Sequence, residues 1–284
     1  MALTPVRIAV IDLYNRFPNE GMRAIRELLE SNEYLGGEAG FEVEIFETRF
    51  DASIPDTSFD IYISTGGPGS PFDGEGTDWE RHYFEWLDAI RAHNATPGNT
   101  PRSVLFICHS FQMMVRHFGL GSVIPRGSRS FGIFPVHPTE PGMRDPLLEG
   151  LGDPFYAADF RDWQVVQPKM EAIEELGGSV LALEKKRDYV PLERAVMAIR
   201  VSPHLVGVQF HPEADPPGMG RHFRKPKLED KIVMEHGKEK YDRILKRLDD
   251  PAFLKRTHDA VIPRFLRDAV AKSRPELAPV LDRE

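Results

Sequence analysis

Short apolar runs that alternate with amphipathic stretches predict an α/β protein with a doubly wound, mostly parallel sheet flanked by helices. Three pairings carry that expectation. "RIAVIDL" (7–13) is followed by "EGMRAIRELLE" (20–30), "DIYIS" (60–64) by "TDWERHYFEWLDAIRAH" (77–93), and "SVLFIC" (103–108) by "HSFQMMVRHF" (109–118). Each apolar run has the length of a buried strand, and each partner has helical spacing.

The elements can be justified in order. "FEVEIFE" (41–47) alternates as a half-buried strand does. In the stretch from Thr77, residues Trp79, Tyr83, Trp86, Leu87 and Ile90 share one helical stripe, a core face with Thr77 as N-cap. Gly119 closes the helix that begins after Cys108. The middle region, "SRSFGIFPV" through "FYAAD" and "DWQVV", has strands with no long helix between them, which predicts a small antiparallel patch on the main sheet. "VLAL", "AVMAIR" and "LVGVQF" supply three more strands. Beyond Pro217 the sequence becomes charged and helical, so the boundary falls near residue 215. Residues 1–215 form the α/β domain, and 216–284 a helical extension packed on it.

Composition bounds the function. The chain has 284 residues and a net charge of −8. From Arg221 to Glu284 there are 17 Lys and Arg against 12 Asp and Glu, and the mixture reads as solvated helix faces. A nucleic-acid surface needs a denser basic stripe with interleaved aromatics, so no nucleic-acid partner is expected. No apolar run reaches the roughly 18 residues of a membrane span, and the first residues lack the pattern of a signal peptide. With one cysteine and hence no internal disulfide, the expected setting is the cytoplasm. The histidines lack metal-ligand spacing, and neither a metal nor another cofactor is expected.

Cys108 is that single cysteine. Alone, such a residue is more often a small buried hydrophobe than a nucleophile. Its setting argues otherwise. Ligands of open α/β sheets sit at the carboxyl ends of strands. Three segments with unusual chemistry end strands here: "STGGPGSP" (64–71), "CHS" (108–110) and "HPE" (211–213). A cysteine between strand and helix lies near free backbone N–H groups and a helix dipole, which favour the thiolate. Pro212 biases His211 toward an extended conformation, and residues two apart on extended chain point the same way. His211 and Glu213 then lie side by side as base and orienter for Cys108. The "GGP" turn presents a backbone N–H with no side chain in the way, and with the His109 N–H it suits an oxyanion hole.

These segments resemble the motifs of class I glutamine amidotransferases, particularly the domain that feeds ammonia to GMP synthesis. The family's "SGGPxSP", "GxCxGxQ" and "GxQFHPE" read here as "STGGPGSP", "FICHSFQ" and "GVQFHPE", in the same order. The resemblance implies a flavodoxin-like fold, with Cys108 as nucleophile, His211 as acid/base and Glu213 as orienter. Gly67 and the backbone of His109 would line the oxyanion hole, and Gln112 and Gly66 would contact substrate. The implied reaction releases ammonia from glutamine and hydrolyses a γ-glutamyl thioester. Two departures stand out: Phe106 and Ser110 replace the elbow glycines, and "DFRDW" stands where the family often shows a Ser-His pair. Both bear on how glutamine's α-groups are held. Three functions remain open: a glutaminase serving a separate synthetase subunit, a free-standing hydrolase of γ-glutamyl amides or peptides, and a binding module without activity. Partner-dependent rate, full activity alone, and inertness to electrophilic glutamine analogues distinguish them.

Overall fold

The computed structural model describes residues 4–31, 40–187 and 193–277. Nine strands form one sheet: β1 (Val6–Ile11), β2 (Phe41–Phe46), β3 (Ile61–Ser64), β4 (Ser103–Ile107), β5 (Ser122–Pro138), β6 (Phe155–Val166), β7 (Ser179–Glu184), β8 (Val196–Ser202) and β9 (Leu205–Val208). Their order is β2-β1-β3-β4-β9-β8-β6-β5-β7. Neighbours from β2 to β9 pair in parallel, whereas β8, β6, β5 and β7 pair antiparallel. The antiparallel part is therefore no small patch. β5 and β6 are the two longest strands, at 17 and 12 residues, with only a five-residue turn of helix, Glu140–Arg144, between them. The sheet is mixed rather than mostly parallel.

The larger helices are α1 (Glu20–Glu30), α3 (Asp78–Ala95), α4 (His109–Phe118), α7 (Pro216–Phe223), α8 (Pro226–His236), α9 (Lys238–Asp249) and α11 (Val261–Ser273). Shorter turns of helix are α2 (Thr48–Asp51), α5 (Glu140–Arg144), α6 (Met170–Glu175) and α10 (Leu254–His258). Caps explain several starts. The Asn19 side chain accepts from the Met22 N–H, Thr77 from Glu80, and Asp215 from Gly218. Gly119, at φ 65°, ends α4 in the left-handed region.

One sheet face packs α1 and α11, through Ile25, Leu28, Phe265 and Leu266 against Ile8, Val10, Ile63 and Leu105. The other packs α3 and α4, through Tyr83, Trp86, Phe111 and Met114 against Ile11, Tyr62 and Val104. Met219, Phe223, Ile232, Tyr241 and Ile244 of α7–α9 gather instead over Ile133 of β5 and Ala158 of β6. Residues after 215 thus cover both the parallel and the antiparallel parts. Residues 278–284 of the expected extension lie outside the described residues. Among the described residues, no helix is long and apolar enough to cross a membrane.

Candidate active site

Cys108 follows β4 directly and stands at the N-cap of α4, with φ 51° and ψ −96°. A non-glycine residue in that region is strained, and such strain concentrates at functional turns. The turn is held from three sides. The Cys108 N–H donates to Val208 O at 2.8 Å. The Ser110 hydroxyl accepts from the Ile107 N–H at 2.8 Å and donates to Ser64 O at 2.7 Å. Ser110 therefore ties the elbow to β3. Phe106 turns the opposite way, fully buried among the α3–α4 core with its ring 6.4 Å from Trp86. Room for that core comes from Gly207, where a Cβ would stand 2.6 Å from Phe111 and 3.4 Å from the Phe106 Cβ. Neither departure at the elbow intrudes on the thiol.

The His211 N–H donates to Ala158 O at 2.9 Å, fixing its backbone against β6. Its Nδ1 shares a 2.7 Å hydrogen bond with Glu213 Oε1, and Glu213 is 1% exposed. Burial alone would lower the imidazole pKa. The Glu213 carboxylate and the neighbouring Cys108 sulfur outweigh it and hold the pKa well above the ordinary value. Gly66 marks the meeting point. A Cβ there would lie 2.9 Å from His211 Cε1, 3.1 Å from the Tyr14 hydroxyl and 3.7 Å from Cys108 Cβ. Gly66→Ala should therefore displace the imidazole and lower turnover about 100-fold, with little change in thermal stability. Steady-state rates beside a melting curve check this.

The raised pKa of His211 also sets a pH dependence. A group whose folded pKa lies above its unfolded value contributes stability that is fully present below the unfolded pKa, 6.5. That contribution is lost as pH rises through the higher folded value. The gap in melting temperature between the protein and Glu213→Gln should be widest at about pH 6 and narrow in alkali.

The glycine loop is pinned by Arg49, whose guanidinium donates to Pro68 O at 2.7 Å and to Leu13 O at 3.4 Å. A Cβ on Gly67 would meet Leu13 O at 2.5 Å, so only glycine fits there. Among the described residues no acceptor is paired with the Gly67 or His109 N–H, both of which lie beside the elbow. The His109 side chain is buried, and desolvation with Arg49 and Arg116 nearby pushes its pKa down to about 3. It is a neutral imidazole in the interior.

Gln112 is placed differently from a free substrate contact. It is 3% exposed, and its Nε2 donates to Gln209 Oε1 at 3.0 Å and to Trp163 O at 3.2 Å. Gln209 Nε2 in turn lies 3.7 Å from Cys108 Sγ. The "DFRDW" stretch runs over the thiol: Phe160 O is 3.9 Å from Sγ, and the Trp163 ring packs on Phe72. Asp159 and Arg161 pair with each other at 2.9 Å in the interior.

Tyr14 and Gln209 were not singled out from the sequence. The signal for Tyr14 was its place just past the carboxyl end of β1, and for Gln209 its place two residues before His211. Burial, the Glu213 carboxylate and Cys108 push the Tyr14 phenol well up, so it stays a neutral donor. A cavity of about 540 Å³ opens beside this cluster, lined by His211, Glu213, Tyr14 and Gly67 and by residues of α7 and β5. An imidazole between a carboxylate and a thiol at a helix N-terminus can take the thiol proton and return it to a leaving group.

The family model of class I glutamine amidotransferases matches residues 27–230. The chain belongs to that family. No curated protein sequence matches it. A glutamine amidotransferase from Thermotoga maritima superposes with a TM-score of 0.66 at 15% identity, covering 93% of this chain and 98% of that one. One from Methylobacillus flagellatus gives 0.52 at 16%, covering 99% and 96%. The glutaminase domain of the Trypanosoma brucei CTPS, solved with bound acivicin, gives 0.52 at 13%, covering 73% and 86%. At these identities the likeness is one of fold.

Proposed function

We propose that this amidotransferase-family chain hydrolyses the side-chain amide of glutamine through a thioester on Cys108. The meeting of Cys108 and His211 at Gly66, with Glu213 hydrogen-bonded to the imidazole, is the observation that carries the reading. The thiolate attacks the amide carbon while the Gly67 and His109 N–H groups receive the developing oxyanion. His211 then gives its proton to the amide nitrogen, the C–N bond breaks, and ammonia departs. Water attacks the thioester as His211 takes its proton, and glutamate leaves with the thiolate restored. Glu213 holds the imidazole in the right tautomer and stabilises its charge. With glutamine as substrate, the ammonia passes to a separate acceptor enzyme, in the manner of GMP synthesis. Residues 1–215 carry the chemistry, and the described residues of the extension, 216–277, complete the core and wall the cavity.

Release of ammonia and glutamate from L-glutamine, compared between the protein and Cys108→Ser, tests this reading. Activity that depends on the thiol supports it, whereas equal rates would overturn it. A second reading, a free-standing hydrolase of larger γ-glutamyl amides, is favoured by the volume of the cavity beside His211.

A further inference from the structure

The cavity meets the acid/base, its orienter and, at Gly67, the edge of the oxyanion hole, but the thiol does not line it. His211 and Glu213 line it, while Cys108 and Gln112 do not. In the reaction above, the acyl half of the substrate belongs at Cys108 and the departing nitrogen belongs at His211, which protonates it. Space opening from His211 therefore receives whatever that nitrogen carries. Ammonia is about the size of a water molecule, whose share of liquid volume is about 30 Å³. The cavity, at about 540 Å³, exceeds that more than tenfold and falls in the range of sites for organic ligands.

Its lining says what kind of group fits. Phe17, Phe131 and Phe160 supply aromatic wall, and the Phe131 and Phe160 rings meet edge to face at 5.2 Å. The two rim acids are already engaged. Glu20 accepts from Arg23 at 2.7 Å and from Arg221 at 3.0 Å, and Asp215 accepts from Arg23 and from the Gly218 N–H. Lys225 also lines the cavity, and it forms no ion pair with any described residue. Aromatic walls with an uncommitted cation at the rim suit an amine that bears a ring and a carboxylate.

Resting on the thioester reading, we propose that the cavity is a leaving-group subsite and that the preferred substrates are γ-glutamyl amides of aromatic amino acids. The balance is that of hydrolysis: the γ-glutamyl carbon passes from nitrogen to Sγ and then to water oxygen. The amine leaves with the proton from His211, and no other reactant is needed. The aromatic ring stacks among Phe17, Phe131 and Phe160, and the α-carboxylate meets Lys225.

The test compares kcat/KM for γ-glutamyl-L-phenylalanine, γ-glutamyl anilide and L-glutamine, in the protein and in Lys225→Glu. Lys225 is exposed, so the variant should fold. The dipeptide should exceed glutamine by at least about tenfold. Lys225→Glu should lower the ratio of dipeptide to anilide by about tenfold, mainly through KM, since the anilide has no carboxylate. Equal or better cleavage of glutamine, with a ratio indifferent to Lys225, would overturn the subsite and leave the thioester reading standing. Failure to cleave all three compounds, with no γ-glutamyl electrophile captured on Cys108, would overturn both.

Discussion

Cys108→Ala should lower the rate of amide hydrolysis by about 10⁵- to 10⁶-fold, His211→Ala nearly as much, and Glu213→Ala by about 10³- to 10⁴-fold. The ranking follows from the geometry. Without the thiol there is no thioester, and without the imidazole neither the thiol nor the leaving nitrogen has a proton partner. Without Glu213, His211 loses its 2.7 Å anchor but keeps its backbone tie to Ala158, so a misoriented base remains. The double variant Cys108→Ala/His211→Ala should be no worse than Cys108→Ala, because the two act as one unit. Glutamate release by each variant, with circular dichroism to confirm folding, checks the order. Cys108→Ala turning over at the wild-type rate would remove the mechanism.

Truncation after residue 220 should give a chain that does not fold. α11 places Val261, Ile262, Phe265, Leu266 and Val270 in the same buried cluster as Ile8, Val10, Ile61 and Leu105. Burying each large apolar side chain stabilises by about 1.5–3 kcal/mol, so five contribute roughly as much as a domain's whole net stability of about 5–15 kcal/mol. Removing them also bares an apolar sheet face to solvent. The truncated chain should be insoluble, or bind a hydrophobic dye with no cooperative melt. A soluble fragment with a sharp transition would show that the extension is dispensable.

The site was partly legible in the sequence because its central residues sit where local rules are strong. Cys108 lies at a strand-to-helix junction, and the Pro after His211 sets the spacing that brings Glu213 to its imidazole. Those signals are contained within a few residues. Gln209 sits inside the quoted "GVQFHPE", yet its approach to the thiol depends on β9 pairing beside β4, and Tyr14 reaches the site from β1 across β3, which no local pattern encodes. The parallel strands were readable from apolar runs paired with helices. The extent of the antiparallel part was not, since the long β5–β6 ladder includes exposed, irregular stretches near Pro125 whose partners lie far along the chain. Phe106 stands where the family's elbow has glycine, yet it does not intrude on the thiol. Its ring faces the α3–α4 core with Val104, opposite Leu105 and Ile107; the turn at Cys108 then breaks the alternation and carries the thiol to the other face, while Gly207 leaves the ring room.

The central claim is a covalent γ-glutamyl intermediate on Cys108. Acid quenching during steady-state turnover of L-glutamine or a γ-glutamyl amide, followed by intact-mass and peptide mass spectrometry, looks for it directly. One γ-glutamyl group per chain should appear on the peptide that contains Cys108, labile to hydroxylamine and absent from Cys108→Ala. Continued turnover with no acylated Cys108, or the same label in Cys108→Ala, would contradict it.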